Sequence, residues 1–253
     1  MIHLQSVTKR YGKLAAVDDI TLRVGEGELF GFLGPNGAGK TTTLKMIAGL
    51  LHPTSGSITV AGRDIAAEPE AVKRLTGYVP DSPFVYDRLT GREFLRFVSG
   101  IYRLEKAAAG RAIERYLDLF ELGGWADELV RSYSHGMKQK LVMSAALIHS
   151  PRVLIVDEPM VGLDPKSAVT VKKIFRELVA GGVTIFLSTH TLGVAEQLCD
   201  RIGIIQQGRL ATVGGMEELR ARAGDPHSRL EDIFLELTGG PDMEKIVASL
   251  GGA

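Results

Sequence analysis

Residues 34–41 read Gly34-Pro35-Asn36-Gly37-Ala38-Gly39-Lys40-Thr41, the spacing G-x-x-x-x-G-K-[ST], and stand between two differently patterned segments. Before them Leu29-Phe30-Gly31-Phe32-Leu33 reads as a buried strand. After them Thr41 to Leu51 is apolar at helical spacing, until His52-Pro53 stops it. Few chain paths satisfy this order: a strand must run into a tight turn and leave it as a helix. The glycines let the backbone curl so that several N–H groups converge on one anion, and the helix start adds its partial positive charge. Lys40 is then placed to reach β- and γ-phosphates, and the Thr41 hydroxyl to meet Mg²⁺.

The second half of such a site is expected on a neighbouring buried strand. Val153-Leu154-Ile155-Val156 is wholly apolar, as a parallel strand covered on both faces should be, and it ends in Asp157-Glu158. Asp157 is the candidate for the Mg²⁺ shell, and Glu158 for orienting or deprotonating a water. Two acids at a strand end alone would read as solvated or capping groups. The glycine loop upstream turns the reading toward chemistry.

The remaining segments sort around this pair. Ile2 to Val24 reads as antiparallel strands broken at Tyr11-Gly12-Lys13, with another short strand at Ile58 to Val60. Thr90-Gly91-Arg92-Glu93 has capping-box spacing ahead of Phe94, Leu95, Phe97 and Val98, and Ala107 to Phe120 is apolar at helical intervals. A helical subdomain is expected over roughly 84–148. Two βα units follow. Val171, Ile174, Phe175 and Leu178 mark the first helix, which ends at Gly181-Gly182, and Thr184 to Leu187 begins the second unit. Ile202 to Ile205, turning at Gln207-Gly208, is expected to close the main domain. Leu230, Ile233, Phe234 and Leu237 mark a short amphipathic helix that packs on its own domain.

Composition narrows the partners. The 253 residues allow one large domain and a small appendage, and Lys plus Arg balance Asp plus Glu at 30 each, for a net charge of +0. Such a balance gives no broad attraction to nucleic acid or an anionic membrane. Cys199 is the only cysteine, which fits a reducing compartment. Met1-Ile2-His3-Leu4 has no signal-peptide pattern, and no apolar run nears the ~18–20 residues needed to cross a bilayer. The expectation is a cytosolic protein.

On these motifs the chain resembles the ABC-type ATP-binding domain, and five further features carry the likeness. Tyr11 lies where the family stacks an aromatic on adenine. Tyr133-Ser134-His135-Gly136-Met137-Lys138-Gln139-Lys140 resembles the family signature LSGGQ. Gly162-Leu163-Asp164 resembles its D-loop, Ser188-Thr189-His190 its switch histidine, and Gly77-Tyr78-Val79-Pro80-Asp81 the segment that normally ends in Gln. The likeness implies a P-loop NTPase of the ABC ATPase fold over residues 1–215. That fold has a mainly parallel α/β sheet core, an antiparallel β subdomain and an inserted helical subdomain, and 216–253 form a C-terminal helical appendage.

The resemblance also implies roles. ATP would be held by Tyr11, by Gly34 through Thr41 and Thr42, and across a dimer interface by Ser134, Gly136 and Asp164. Mg²⁺ would be met by Thr41, Asp157 and Asp81, while Glu158, His190 and Lys40 carry hydrolysis. Ser134 and Asp164 also suit helix N-caps, the latter before Pro165, and the two roles are compatible. Two departures stand out: His135 and Met137 replace a Gly and the Gln of the signature, and Asp81, an acceptor only, replaces Gln.

The resemblance implies a head-to-tail dimer, and since this chain has one copy of each motif, a homodimer would make two composite ATP sites. It would drive a separate transmembrane permease, in the export direction, from the cytoplasmic face of the membrane. Two other readings compete. Relatives acting in DNA repair or translation usually carry duplicated cassettes, zinc cysteines or basic arms, which this sequence lacks, so no nucleic-acid partner is expected. An ATP-holding switch without hydrolysis is disfavoured by Glu158 and His190.

Overall fold

The computed structural model describes residues 1–224 and 228–238. Two sheets organise it. The smaller pairs β2 (Leu14–Val24), β1 (Ile2–Tyr11), β4 (Ser55–Val60) and β5 (Arg63–Asp64) in that order, all antiparallel. The larger runs β10 (Arg209–Gly214), β9 (Arg201–Gln206), β3 (Leu29–Leu33), β8 (Thr184–Thr189), β7 (Val153–Asp157) and β6 (Thr76–Val79). From β9 to β6 every pairing is parallel, and only the edge strand β10 is antiparallel. Strands β3, β7 and β8 are buried at every position, which explains the apolar runs they contain, and β7 and β8 bury polar residues only toward their ends.

The structure refines one expectation about these strands. The strand ending in Asp157 does not adjoin the strand feeding the glycine loop, because β8 lies between them. β3 is wholly apolar, and β7 and β8 each carry an apolar run (Val153 to Val156, Ile185 to Leu187), so hydrophobic pattern alone does not order them. The segment Ile202 to Ile205 lies in β9, which turns at Gln207-Gly208 into β10; β9 sits beside β3 and β10 adds an edge beyond it. Helix α2 (Pro69–Leu75) and strand β10 carried no clear sequence signal. Val72 is the sole buried residue of α2, and β10 is mostly half exposed.

Between β3 and β4 runs α1 (Lys40–Ile47), and between β6 and β7 comes the helical region. It holds α3 (Gly91–Ile101), α4 (Lys106–Leu119) and α5 (His135–Leu147). Thr90 and Glu93 form the expected capping box of α3: the Thr90 hydroxyl accepts from the Glu93 N–H and the Glu93 carboxylate accepts from the Thr90 N–H. Phe94, Leu95, Ile113, Leu117 and Leu141 bury against one another and continue into the core beneath the sheet. A second core, under the smaller sheet, is centred on Phe30, Phe32 and Phe186; the Phe186 ring stands 5.4 Å from that of Phe30 and 5.3 Å from that of Phe32, both at tilted angles.

Beyond β7 come α6 (Pro165–Ala180), α7 (Leu192–Leu198), α8 (Met216–Arg222) and α9 (Leu230–Thr238). Leu230 and Ile233 are buried in the main core, and Arg220 ties α8 to Glu196 of α7 at 3.0 Å. The amphipathic face near the C-terminus thus packs on its own chain. Residues 225–227 and 239–253 of the expected appendage lie outside the described residues.

A second tie joins the helical region to the sheet. Tyr102, which caps α3, stacks on His149 with ring centroids 3.6 Å apart and planes 7° from parallel. The imidazole Nε2 donates to the Thr76 carbonyl at 3.2 Å, and the buried Nδ1 has no partner among the described residues. Burial pushes the His149 pKa down to about 4, against which the Thr76 contact works. The folded protein therefore binds this proton less readily than the unfolded chain does. The resulting stability is whole above pH ~6.5 and is lost as pH falls from there toward about 4, with a slope of up to about 1.4 kcal/mol per pH unit. Replacing His149 by Phe, which retains a ring against Tyr102, should remove that slope from urea-unfolding curves recorded across this range. Parallel pH profiles for the two proteins would contradict the assignment.

Candidate functional site

Parallel pairing brings the carboxyl ends of β3, β8, β7 and β6 into one row: Leu33 pairs with Thr189, Ser188 with Asp157, and Val156 with Val79. Whatever follows each strand therefore meets the others at the same edge, where ligands of open α/β sheets bind. After β3 comes the glycine loop, after β8 His190, at the end of β7 Asp157 and then Glu158, and after β6 Pro80 and Asp81. A cavity of about 380 Å³ opens there. It is walled by Asn36, Gly37, Gly39, Lys40, Thr41 and Thr42 on the loop side, and by Asp81, Asp157, Glu158 and His190 opposite.

The loop is shaped by its last glycine. Gly39 has φ +109, a left-handed backbone, and a Cβ there would lie 2.3 Å from the Ala16 carbonyl oxygen of β2. Backbone cannot step aside at such a contact, so the position requires glycine. As N-cap of α1, Gly39 offers no side-chain acceptor, which leaves the helix's first N–H groups uncapped beside the cavity. Ala38 is buried, its N–H donating to the Pro35 carbonyl at 3.2 Å.

Lys40 is 8% exposed, and its ammonium donates to the carbonyls of Gly34 at 2.6 Å and Pro35 at 3.2 Å. Desolvation lowers its pKa, while Glu158 and Asp157 pull it back up. Asp157 is fully buried: Oδ1 accepts from the Ser188 hydroxyl, and Oδ2 has no partner among the described residues. Glu158 holds φ +50, unusual for a residue with a side chain, its N–H donating to the Ser188 carbonyl at 3.1 Å. Its Oε1 lies 2.9 Å from Nδ1 of His190, which is 59% exposed. Asp81 Oδ1 accepts from the Ser82 N–H at 2.8 Å.

These donors suit Mg²⁺. Asp157 presents an orphaned, buried carboxylate oxygen across the cavity from the Thr41 side, and among the described residues no group of three or more His, Cys, Asp or Glu could cage a metal by itself. A metal bound through one or two protein oxygens, with phosphate completing its shell, is what Mg²⁺ prefers.

The remaining expected residues stand apart from the cavity. Tyr11 ends β1, half exposed, with the Lys9 ammonium 5.5 Å from its ring centre. Ser134 caps α5, accepting from the Met137 N–H at 3.2 Å, and Gly136 lies in the first turn of that helix. Asp164 caps α6 by accepting from the Ser167 N–H and hydroxyl, which lowers its pKa. Both capping expectations hold. Sequence reasoning missed Ala16, which lines the cavity by a backbone placement no motif encodes, and Val161. It also missed Tyr78, whose buried hydroxyl has no partner among the described residues and whose pKa is raised by burial first and then by Asp157 and Asp81.

A phosphate-binding loop, an uncapped helix start, a buried lysine and a strand-end acid pair at one sheet edge define a nucleoside triphosphatase of the P-loop class. Comparison with known proteins narrows the class. The family described as "ABC transporter" matches residues 17–161. The linearmycin resistance ATP-binding protein of Bacillus subtilis strain 168 is 39% identical over 238 residues, covering 94% of this chain and 75% of that protein. A solved ATP-binding subunit of an ABC transporter superposes with a TM-score of 0.89 at 34% identity, covering 94% of this chain and 99% of that one. A dimeric ATP-binding cassette in a post-hydrolysis state with ADP and Pi gives a TM-score of 0.79 at 25% identity, over 85% and 98% of the two chains. The chain belongs to the ABC transporter ATP-binding family and is an ATPase.

Lys40→Ala should weaken ATP binding by roughly 10- to 100-fold, the range for losing charge-assisted hydrogen bonds, as read by calorimetric titration. Wild-type affinity in that variant would contradict the phosphate assignment.

Proposed function

We propose that the protein is the ATP-hydrolysing subunit of an exporter, that it works as a homodimer with two composite ATP sites, and that it energises a separate transmembrane permease. The observation that carries the reading is the split of its motifs. The loop, Glu158 and His190 share one cavity, whereas Ser134 and Gly136 stand outside it on α5. A second copy supplying its α5 start to the open side of that cavity would complete it. The dimeric relative supports this arrangement.

In this reading the loop N–H groups and Lys40 hold the β- and γ-phosphates, with Lys40 leaving the Gly34 and Pro35 carbonyls to do so. Thr41 and Asp157 would hold Mg²⁺, and Asp81, short and an acceptor only, would add a carboxylate to that side of the site. Mg²⁺, when bound, draws off the charge that builds on the phosphate oxygens. Tyr11 stacks on adenine, and Asp164 faces the partner subunit. Glu158 orients the attacking water and takes its proton as the terminal P–O bond breaks, releasing ADP and phosphate. His190 steadies the Glu158 carboxylate in the resting site and contacts the γ-phosphate in the loaded one. Opening after hydrolysis moves the attached permease between access states.

Among the described residues no helix is long and apolar enough to cross a membrane. A docking face is present instead. Phe84, 82% exposed, Ile101, 62% exposed, and Leu50 line a cavity of about 590 Å³ beside α3; the open ring of Tyr86 stands next to Phe84, and that of Phe97 next to Tyr86. An exposed apolar patch of this kind suits a partner's short helix. This reading places the protein on the cytoplasmic face of the membrane. The resistance function named for the Bacillus relative supports export over import.

Glu158→Gln should keep ATP binding, lower turnover by roughly 10²–10⁴-fold, and move from monomer to dimer in light scattering when ATP and Mg²⁺ are added. Unchanged hydrolysis would remove Glu158 from the base role. A monomer with ATP bound would mean that another cassette or the permease supplies the second half of the site.

A further inference from the structure

His135, the signature's departure from the family pattern, has a seat inside its own chain. Gly162 has φ +75, and a Cβ built there would lie 2.2 Å from Cδ2 and 2.9 Å from Nε2 of His135. The imidazole therefore occupies the space where a side chain at 162 would begin. One residue along, a Cβ on Gly136 would stand 3.0 Å from the Gly162 carbonyl oxygen and 3.6 Å from the Leu163 side chain. The first turn of α5 and the segment after β7 are thus fitted face to face, with the ring of one filling the bare backbone of the other.

That segment starts at Glu158. Its N–H is fixed to the Ser188 carbonyl at 3.1 Å, its own carbonyl accepts from the Val161 N–H at 3.3 Å, and the Met160 carbonyl accepts from the Leu163 N–H at 3.3 Å. Two successive tight turns leave little slack between Glu158 and Gly162. Asp164 then locks the far end onto α6. The His135 ring thus lies between the start of α5 and the short backbone stretch that carries Glu158.

We infer that His135 is a positioning residue: its imidazole, seated on Gly162, makes the signature turn and the segment 158–164 move as one body. Resting on the composite-site reading, this gives the contact a direction. The α5 start answers to the phosphate held by the partner, and Glu158 acts on the phosphate held by its own chain. The seat of His135 on Gly162 links one site's occupancy to the other's catalytic geometry. A residue without a side chain at this position, as in the family pattern, would leave the seat empty.

A double-mutant cycle on the full-length protein tests this: wild type, His135→Gly, Gly162→Ala and the pair, each followed for kcat and KM in steady-state ATP hydrolysis. Gly162→Ala carries the same backbone strain in both backgrounds, but it unseats the ring only where the ring exists. The expected result is a fall in kcat on the order of tenfold when Gly162→Ala is made in the wild type, and about threefold or less when it is added to His135→Gly, with KM for ATP unchanged in both. Equal falls would overturn the proposal. A fall confined to KM would also overturn it, since the seat acts on geometry around Glu158 and not on ATP affinity. Thermal melts guard against misfolding. If Gly162→Ala does not fold, His135→Ala replaces it, and wild-type kcat in that variant sinks the idea. Light scattering of Glu158→Gln with ATP separates the two readings. A dimer with an additive cycle removes the seat alone, and a monomer with ATP bound removes the homodimeric site on which its link between two sites rests.

Discussion

Parallel pairing of β3, β8, β7 and β6 is the constraint on which the rest of this structure depends. Parallel strands carry their carboxyl ends in one direction, so four segments distant in sequence discharge their loops at one edge. Each loop needs only to be short and correctly furnished. The cost is that every strand is covered on both faces, which is why Phe30, Phe32 and Phe186 fill one side and Val156, Leu187 and the α5 residues the other. Loosening the pairing of β7 and β8 would displace Asp157 from Ser188 and Glu158 from His190 together.

Electrostatics at that edge follow from burial. Asp157 has almost no exposure, Lys40 little more, and the two influence each other across the cavity. A buried carboxylate is tolerable only with donors or cations around it. Ser188 gives one donor, Lys40 lends charge at a distance, and one oxygen is left over. The leftover valence, costly in an ordinary core, is what a cation-binding site needs.

Much of this was legible in the sequence, and the reasons are specific. The glycine loop, the apolar strand ending in Asp157-Glu158 and the caps at Thr90, Ser134 and Asp164 are local devices, written in consecutive residues. The P-loop fold and family followed from their order. What stayed hidden was tertiary. Nothing in the apolar runs of these three strands says that β8 lies between β3 and β7. The Ala16 carbonyl that bars a side chain at Gly39 belongs to the backbone, which carries no residue signature. Edge strand β10 and helix α2 bury too little to leave a period. Nor does anything around His135 in the chain point to Gly162, whose bare backbone lies beneath its ring.

The hydrogen bonds of Lys40 bear on the shape of the loop that carries it. Its ammonium donates to the carbonyls of Gly34 and Pro35, so the first residue of α1 reaches back across the turn to the residues that open it. The left-handed backbone at Gly37 and Gly39 sets the curl, and the lysine braces it from within. The loop is thus a ring closed by its own side chain, and the residue whose charge matters most is also a strut of the frame that holds it.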